Sequence, residues 1–408
     1  MKKSYSERIV VVTVFMITIL GFWGIVAAEA TAAPNLFESI PADRLIMPEA
    51  TNEALAKIKQ DKTTIDVNVV TINPSVFNEK KINLNVPMAA PMEAETAEIS
   101  RRGPNDFTWV GKFPQPAGDA IMVVKNGQVT GSIRAGTALY RVWPLGEGKH
   151  AVVQVDQSKF PPEHPPSFEK IQPGTLPPQK EKGDQQSTGP TPITVLVAYT
   201  PAAEAKVLGP MDSFIQLAVT ESNQSYQNSK INLTLVLAGI QKVNYQESGS
   251  FDTDLDNFKG MTDGAMDEIH SLRDQKKADV CVLIVDNNQY CGLAAAILAK
   301  PETAFAVVYF KCATGYYSFA HEIGHLQGAR HNLEMDPTLQ PFPYGHGYYL
   351  NPKWRTIMSY ANPCNCPRIQ YWSNPNVQYE GVPMGTSERN NNARVLNETA
   401  AYVSGFRQ

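Results

Sequence analysis

Two histidines four residues apart, His321 and His325, flank a glutamate, and a third histidine follows six residues later in the run HEIGHLQGARH. On a helix the i,i+4 spacing projects both imidazoles from one face, close enough to share one tetrahedral cation. Glu322 is rotated by roughly 100° around the axis. That position suits a base acting on metal-activated water better than a third ligand. Gly328, free of a Cβ, can take the left-handed conformation that ends a helix and turns the chain back, which brings His331 to the same cation. Three neutral imidazoles leave one coordination position for water, the pattern of a catalytic rather than a closed structural zinc site. Three of the chain's seven histidines fall inside these eleven residues, so the chemistry implied is zinc-assisted hydrolysis. One zinc ion is the cofactor the pattern calls for, and structural calcium is left open. A competing reading, a zinc-stabilised binding or adhesion protein without catalysis, is disfavoured by Glu322, because a structural three-histidine site has no use for an unliganded carboxylate.

Further segments make the reading specific. Cys312 to His331 (CATGYYSFAHEIGHLQGARH), Tyr344 to Tyr348 (YGHGY), Trp354 to Tyr360 (WRTIMSY), Cys366 to Pro375 (CPRIQYWSNP) and Asn391 to Val403 (NNARVLNETAAYV) resemble the bacterial secreted peptidyl-Asp metalloendopeptidases, reprolysin-like zinc peptidases of the metzincin clan. The resemblance begins near Thr191. It implies an α+β catalytic domain in which a twisted mixed sheet is backed by helices, with Met358 in a Met-turn forming a floor beneath the metal. It also implies a tyrosine, Tyr360, near the metal and cleavage on the amino side of aspartate. A site that accepts a buried carboxylate needs a cation, preferably a guanidinium; Arg368, ten residues after Met358, is the first candidate, with Arg355 and Lys353 behind it. Many relatives carry Asp directly after the third histidine where this chain has Asn332, which leaves the ligands intact and withdraws that carboxylate from any anchoring role.

The elements that would position these residues follow from the patterning. Lys2, Lys3 and Arg8 precede an uncharged apolar run from Ile9 to Ala28 and then Ala-Glu-Ala, so residues 1–30 read as an export signal. The run is also long enough to span a bilayer, which makes an uncleaved anchor the competing reading. Residues 31–159 alternate as strands (Thr64 to Ile72, Lys81 to Val86, Ala120 to Arg134, His150 to Asp156), with a tight turn at Asn126 and Gly127, and form an expected β-rich prodomain. Residues 160–191, crowded with Pro, Gln and Lys, read as an exposed, protease-sensitive linker. The catalytic domain would occupy 192–408. Its strands are expected at Ile193 to Tyr199, Ile231 to Leu237, Asp279 to Val285 and Thr303 to Phe310, the last as the edge along which substrate lies. Helices are expected at Ser213 to Gln227, Gly264 to Arg273 and Asn391 to Val403, with Ser318 capping the metal-binding helix.

All five cysteines lie in the C-terminal half, as an exported chain permits. Cys291 is expected to pair with Cys312. Cys281 sits in an apolar strand and reads as a free thiol, while Cys364 and Cys366 are too close for relaxed ring closure and stay open. No cysteine precedes Cys281, so a thiol from the prodomain cannot silence the metal; an upstream carboxylate or steric cover is the expected device. A net charge of −4 gives no footprint for nucleic acid. The expected partners are a protein or peptide substrate and the chain's own prodomain as inhibitor, with no membrane in the mature form.

Overall fold

The apolar run Ala120 to Val124 forms a strand covered on both faces, and it lies in the interior of a nine-stranded antiparallel sheet. The strands are β1 (Phe37–Ser39), β2 (Thr64–Ile72), β3 (Lys81–Leu84), β4 (Met92–Gly103), β5 (Asp106–Pro114), β6 (Ala117–Lys125), β7 (Gln128–Ala135), β8 (Ala138–Gly146) and β9 (Lys149–Val155), in spatial order β1-β2-β9-β8-β7-β6-β5-β4-β3. The computed structural model describes residues 32–41, 47–165, 168, 171, 173–175 and 189–407. The expected export signal and the middle of the linker, 176–188, lie outside the described residues. Asn126 and Gly127 both adopt positive φ (50° and 80°) and join Lys125 to Gln128, the turn the sequence predicts. Successive residues of β6 face opposite ways: Met122 and Val124 enter a core with Trp109 and Phe77, whereas Ile121 and Val123 pack with Val110 on Leu217. One helix, α1 (Glu49–Gln60), interrupts the expected all-β unit and buries Thr51 and Leu55.

A five-stranded mixed sheet follows. It comprises β10 (Thr191–Tyr199), β11 (Leu233–Lys242), β12 (Val280–Val285), β13 (Gly292–Ala294) and β14 (Phe305–Tyr309), ordered β11-β10-β12-β14-β13. Four strands are parallel, and β13 runs antiparallel to β14. Hence the predicted edge, Thr303 to Phe310, is interior: β12 and β13 take up its main-chain groups on both sides, and β13 is the outer strand on that side of the sheet.

The helices are α2 (Pro201–Glu204), α3 (Met211–Asn228), α4 (Phe251–Lys259), α5 (Glu268–Lys276), α6 (Phe310–Ala313), α7 (Ser318–Leu326) and α8 (Asn392–Val403). The expected helix Gly264 to Arg273 instead spans Glu268–Lys276 as α5. Helix α4 escapes the pattern search and is capped by the Ser250 hydroxyl accepting from the Thr253 amide. Helix α8 buries Ala393, Leu396, Ala400 and Val403 on one side, as its spacing predicts. Beyond α7 the chain is mostly irregular, with two short hairpins at 349–355 and 374–384. The architecture is mixed α+β, and no helix among the described residues is long and apolar enough to cross a membrane.

The two sheets share one apolar core. Leu139, Ala151 and Val153 of the first sheet join Phe214, Ala218 and the strands of the second, and Trp143 stacks on Phe214. Polar contacts add direction. Arg134 donates to the Arg368 carbonyl (2.8 Å) and the Tyr317 hydroxyl (2.6 Å), and Arg141 donates to the Thr314 carbonyl (2.8 Å). These carbonyls and the tyrosine belong to the approach to α7 and the far wall of the cleft, so the first sheet grips the elements that carry the candidate ligands from behind. The stretch read as exposed from Phe160 onward departs from that expectation: Phe160, Pro161, Glu163, His164, Pro165 and Phe168 are buried. Composition describes average solvation, and this segment instead fills a cleft.

Glu221 of α3 is wholly buried where the sheets meet, accepting from the Ser132 hydroxyl (2.5 Å) and the Gly315 amide (2.8 Å). Burial pushes its carboxyl up from 4.5 to about 7, against the opposing pull of those donors and of Arg134 and Arg141. A carboxyl raised on folding contributes stability that is full below its unfolded pKa and is lost as pH rises through the folded one. The denaturant midpoint of the full chain should therefore fall between about pH 5 and about pH 7.5, and Glu221→Gln should flatten that fall. Identical pH slopes in the two proteins would refute the assignment.

Candidate metal centre

Helix α7 carries His321 and His325 on one buried face. At its end, the Gly328 amide donates to the His325 carbonyl (2.8 Å) and the Ala329 amide to the Gly324 carbonyl (3.0 Å), while Gly328 takes φ +101°. This paired closure is the left-handed helix stop, and a Cβ at Gly328 would also lie 2.9 Å from the Phe342 ring. The turn returns His331 to the helix face. The three Nε2 atoms then stand 2.9 to 3.1 Å apart. Ser318, the expected cap, is instead the first helical residue; Tyr317 holds the cap position at φ 64°, and the buried Ser318 hydroxyl has no partner.

Backbone carbonyls set the ring tautomers. His321 Nδ1 lies 2.8 Å from the Ile357 carbonyl and His325 Nδ1 lies 2.8 Å from the Ala329 carbonyl. A carbonyl only accepts, so both Nδ1 atoms carry the proton and both Nε2 atoms present lone pairs. Burial, reinforced by the neighbouring imidazoles, holds all three rings well below the usual histidine range, hence neutral. Buried lone pairs facing one another lack any partner except a cation. Imidazoles on a tetrahedral zinc ion would have nitrogens about 3.3 Å apart, so the donor set fits such an ion.

Glu322 lies beside the trio, buried, with its carboxyl raised chiefly by desolvation. Its place depends on Gly292 of β13, where a Cβ would come within 2.3 Å of Oε1. Met358 is buried under α7, its sulfur 3.2 Å from where a Cβ on Gly324 would stand. Tyr360 packs its ring 4.1 Å from that of His331. Asn332 does anchor this turn: Oδ1 accepts from the Tyr360 amide (3.0 Å), while Nδ2 donates to Glu334 (3.0 Å). An amide can do both, so the absent carboxylate is replaced by a two-way bridge.

Arg368 and Arg355 are both buried beside the cleft and held by carbonyls, Arg368 by that of Tyr316 (2.9 Å) and Arg355 by that of Ser359 (3.3 Å). Arg355 also donates to the Tyr316 hydroxyl (2.7 Å). Lys353 is exposed and takes no part. Between the guanidinium groups sits Glu163: Oε1 is 2.6 Å from Arg368, 3.9 Å from Arg355, and accepts from the Tyr316 hydroxyl at 3.1 Å. His164 covers the three imidazoles, with Nε2 3.0 Å from Glu322 and Nδ1 2.8 Å from the Tyr360 hydroxyl. Neither Glu163 nor His164 was picked out from the sequence. A histidine and glutamate held between proline pairs, PPEHPP, was the available signal. Tyr316, likewise missed, had none. The Cys291–Cys312 disulfide is formed as expected and ties β13 to α6; Cys364 and Cys366 are bonded to each other, and Cys281 is a buried free thiol.

A family model described as metallo-peptidase family M12 matches residues 189–373. The chain is 42% identical to a peptidyl-Asp metalloendopeptidase of Stenotrophomonas maltophilia (strain R551-3), across 94% of this chain and 96% of the relative. It is also 42% identical to one from Xanthomonas campestris pv. campestris, across 93% and 95% respectively. The whole of a Pseudomonas fragi peptidyl-Asp metalloendopeptidase aligns at 42% identity with 46% of this chain. Likeness at that level along nearly the whole of both chains places the protein: it is a metalloendopeptidase belonging to the peptidyl-Asp metalloendopeptidase family, with an M12 metallopeptidase domain.

Proposed function

We propose that the chain is the latent precursor of a secreted zinc endopeptidase that cleaves on the amino side of aspartate, with the metal held by His321, His325 and His331 and with Glu322 as general base. The observation that carries this reading is the convergence of three buried neutral imidazoles, two with Nδ1 committed to carbonyls, beside a buried carboxylate. Zinc held there would supply Lewis acidity toward the scissile carbonyl and make a water acidic enough to attack near neutral pH. Glu322 takes the proton of the attacking water and returns it to the leaving amine. Met358 supports the helix that presents the ligands. Tyr360, whose hydroxyl reaches the space above the imidazoles, is assigned to substrate binding.

Specificity is assigned first to Arg368, with Arg355 and the Tyr316 hydroxyl completing a pocket that already accommodates a carboxylate. The outer edge of β13 next to it, where the Gly292 amide now donates to the Glu163 carbonyl (3.0 Å), offers main-chain groups to an extended peptide once that segment leaves. The first sheet is assigned as the prodomain, and the precursor is proposed to be exported by residues 1–30 and processed within 176–188, where Gln, Lys and Pro recur.

Replacing Glu322 by alanine should leave zinc content and the unfolding midpoint near wild type while lowering peptide turnover by about 10² or more; His331→Ala should instead lose metal on dialysis. A Glu322 variant retaining more than a few per cent of turnover would defeat the mechanism. Arg368→Leu should reduce kcat/KM before aspartate about a hundredfold, as expected when one charged partner is stranded, with cleavage before apolar residues preserved. An unchanged product profile would remove Arg368 from its role. For latency, nicking within 176–188 should activate the precursor, whereas a thiol-modifying mercurial should not; activation by the mercurial alone would contradict a proteolytic release.

A further inference from the structure

The metal centre is surrounded by four imidazoles. The ring centre of His164 lies 5.1, 5.1 and 4.9 Å from those of His321, His325 and His331, which are themselves 4.8, 5.2 and 4.5 Å apart. Six nearly equal separations describe a tetrahedron of rings. Four imidazoles bound to one tetrahedral zinc ion at ordinary Zn–N lengths would have ring centres about 5 Å apart. One nitrogen from each ring can be chosen so that all four lie within 4.8 Å of one another, wider than a bound ion would hold them. His164 Nε2 stands 3.0 Å from Glu322, so ligation would draw the ring inward and replace that contact while Nδ1 keeps the Tyr360 hydroxyl (2.8 Å). His164 is buried and pinned from behind by Phe168, which stacks on it at 4.1 Å and 11° and also packs on His325 and His331.

Its chain neighbour is held with equal specificity. Glu163 places its carboxylate between Arg368, Arg355 and the Tyr316 hydroxyl, and its carbonyl accepts from the Gly292 amide of β13 (3.0 Å). The Pro162 carbonyl accepts from the Cys291 amide (2.8 Å). The flanking prolines restrict the segment before it docks, which lowers the entropy lost on ordering it.

We propose that Glu163 and His164 form a two-point latch: His164 is a fourth donor to the metal held by His321, His325 and His331, and Glu163 fills the pocket that receives a substrate's acidic side chain. The inference rests on the metalloendopeptidase reading above. Adjacent residues serve two subsites at once, so either contact positions the other. A four-nitrogen shell is closed and has no position for water, and Glu322, facing the His164 ring, has no water to deprotonate. Release exchanges one neutral donor for water; no covalent bond forms or breaks. The latch differs from both expected devices, the bare carboxylate and simple cover, because an imidazole addresses the metal while the carboxylate addresses the specificity pocket.

The test uses the full-length precursor with the linker uncut, loaded with Co2+, whose visible absorption reports the ligand set, and titrated with acetohydroxamate. In the wild type the spectrum should indicate four-coordinate Co2+ and stay unchanged by the hydroxamate. His164→Ala should keep one Co2+ per chain, respond to the hydroxamate and bind it at least about tenfold more tightly. His164→Phe, which keeps the ring volume and the stack on Phe168 while deleting both nitrogens, should behave the same way and serves if the alanine variant does not fold. Glu163→Gln should raise hydroxamate affinity by a smaller factor, since it weakens only the pocket contact. A wild-type precursor that binds hydroxamate as tightly as His164→Phe, with the same spectral change, would overturn the latch while leaving the metallopeptidase reading intact. Undiminished Co2+ binding by His331→Ala would instead overturn the metal assignment on which the latch depends.

Discussion

Lone pairs that face one another in a buried space are unfavourable unless a cation joins them. His321 and His325 are locked into that state by the carbonyls of Ile357 and Ala329. Much of the surrounding architecture serves this arrangement. The turn that contains Met358 supplies one carbonyl, and the left-handed stop at Gly328 supplies the other while returning His331. Gly324 lets Trp372 and Met358 approach the helix, since a Cβ there would stand 2.6 Å from the tryptophan ring. Gly292 makes room for the Glu322 carboxylate. Each glycine exchanges a side chain for closeness at the centre.

A second constraint is charge. Arg355 and Arg368 are both buried, and two guanidinium groups held in a low-dielectric wall without an anion are costly. Carbonyls of Tyr316 and Ser359 satisfy part of their hydrogen-bonding capacity, and Glu163 supplies the counter-charge. The pocket is therefore built around a carboxylate, here that of Glu163. The same economy explains the grip of the first sheet. Arg134 and Arg141 donate to carbonyls on the elements flanking the cleft, where irregular backbone leaves acceptors free.

Several departures from the sequence reading share one cause, competition among long-range partners. Thr303 to Phe310 was apolar enough for a strand, but periodicity says nothing about strand order, and a three-residue strand, β13, covers it. Ser318 has the right chemistry for a cap, yet its hydroxyl is buried and unpartnered as the first residue of the helix. The proline-rich run beginning at Phe160 resembles a solvated linker because its residues bury little against each other; they bury well against a preformed cleft.

The sequence by itself determined which residues converge at the candidate site and much of the element inventory. The spacing of His321, Glu322, His325, Gly328 and His331 dictates one helical face, a helix stop and a returning ligand, because those are local consequences of 3.6 residues per turn and of a residue without a Cβ. Alternating apolar residues likewise announced β2, β3, β6, β7 and β9, though not β1, β4, β5 and β8, and Asn126-Gly127 announced its turn. Arg368 was reachable as a chemical requirement, a cation for a carboxylate. Only the tertiary structure decided that Arg355 and Tyr316 share that pocket, that β13 rather than β14 is the outer strand, and that Glu163 and His164 occupy the cleft. The last of those facts joins residues more than 150 positions apart, through packing and buried electrostatics that no local pattern encodes.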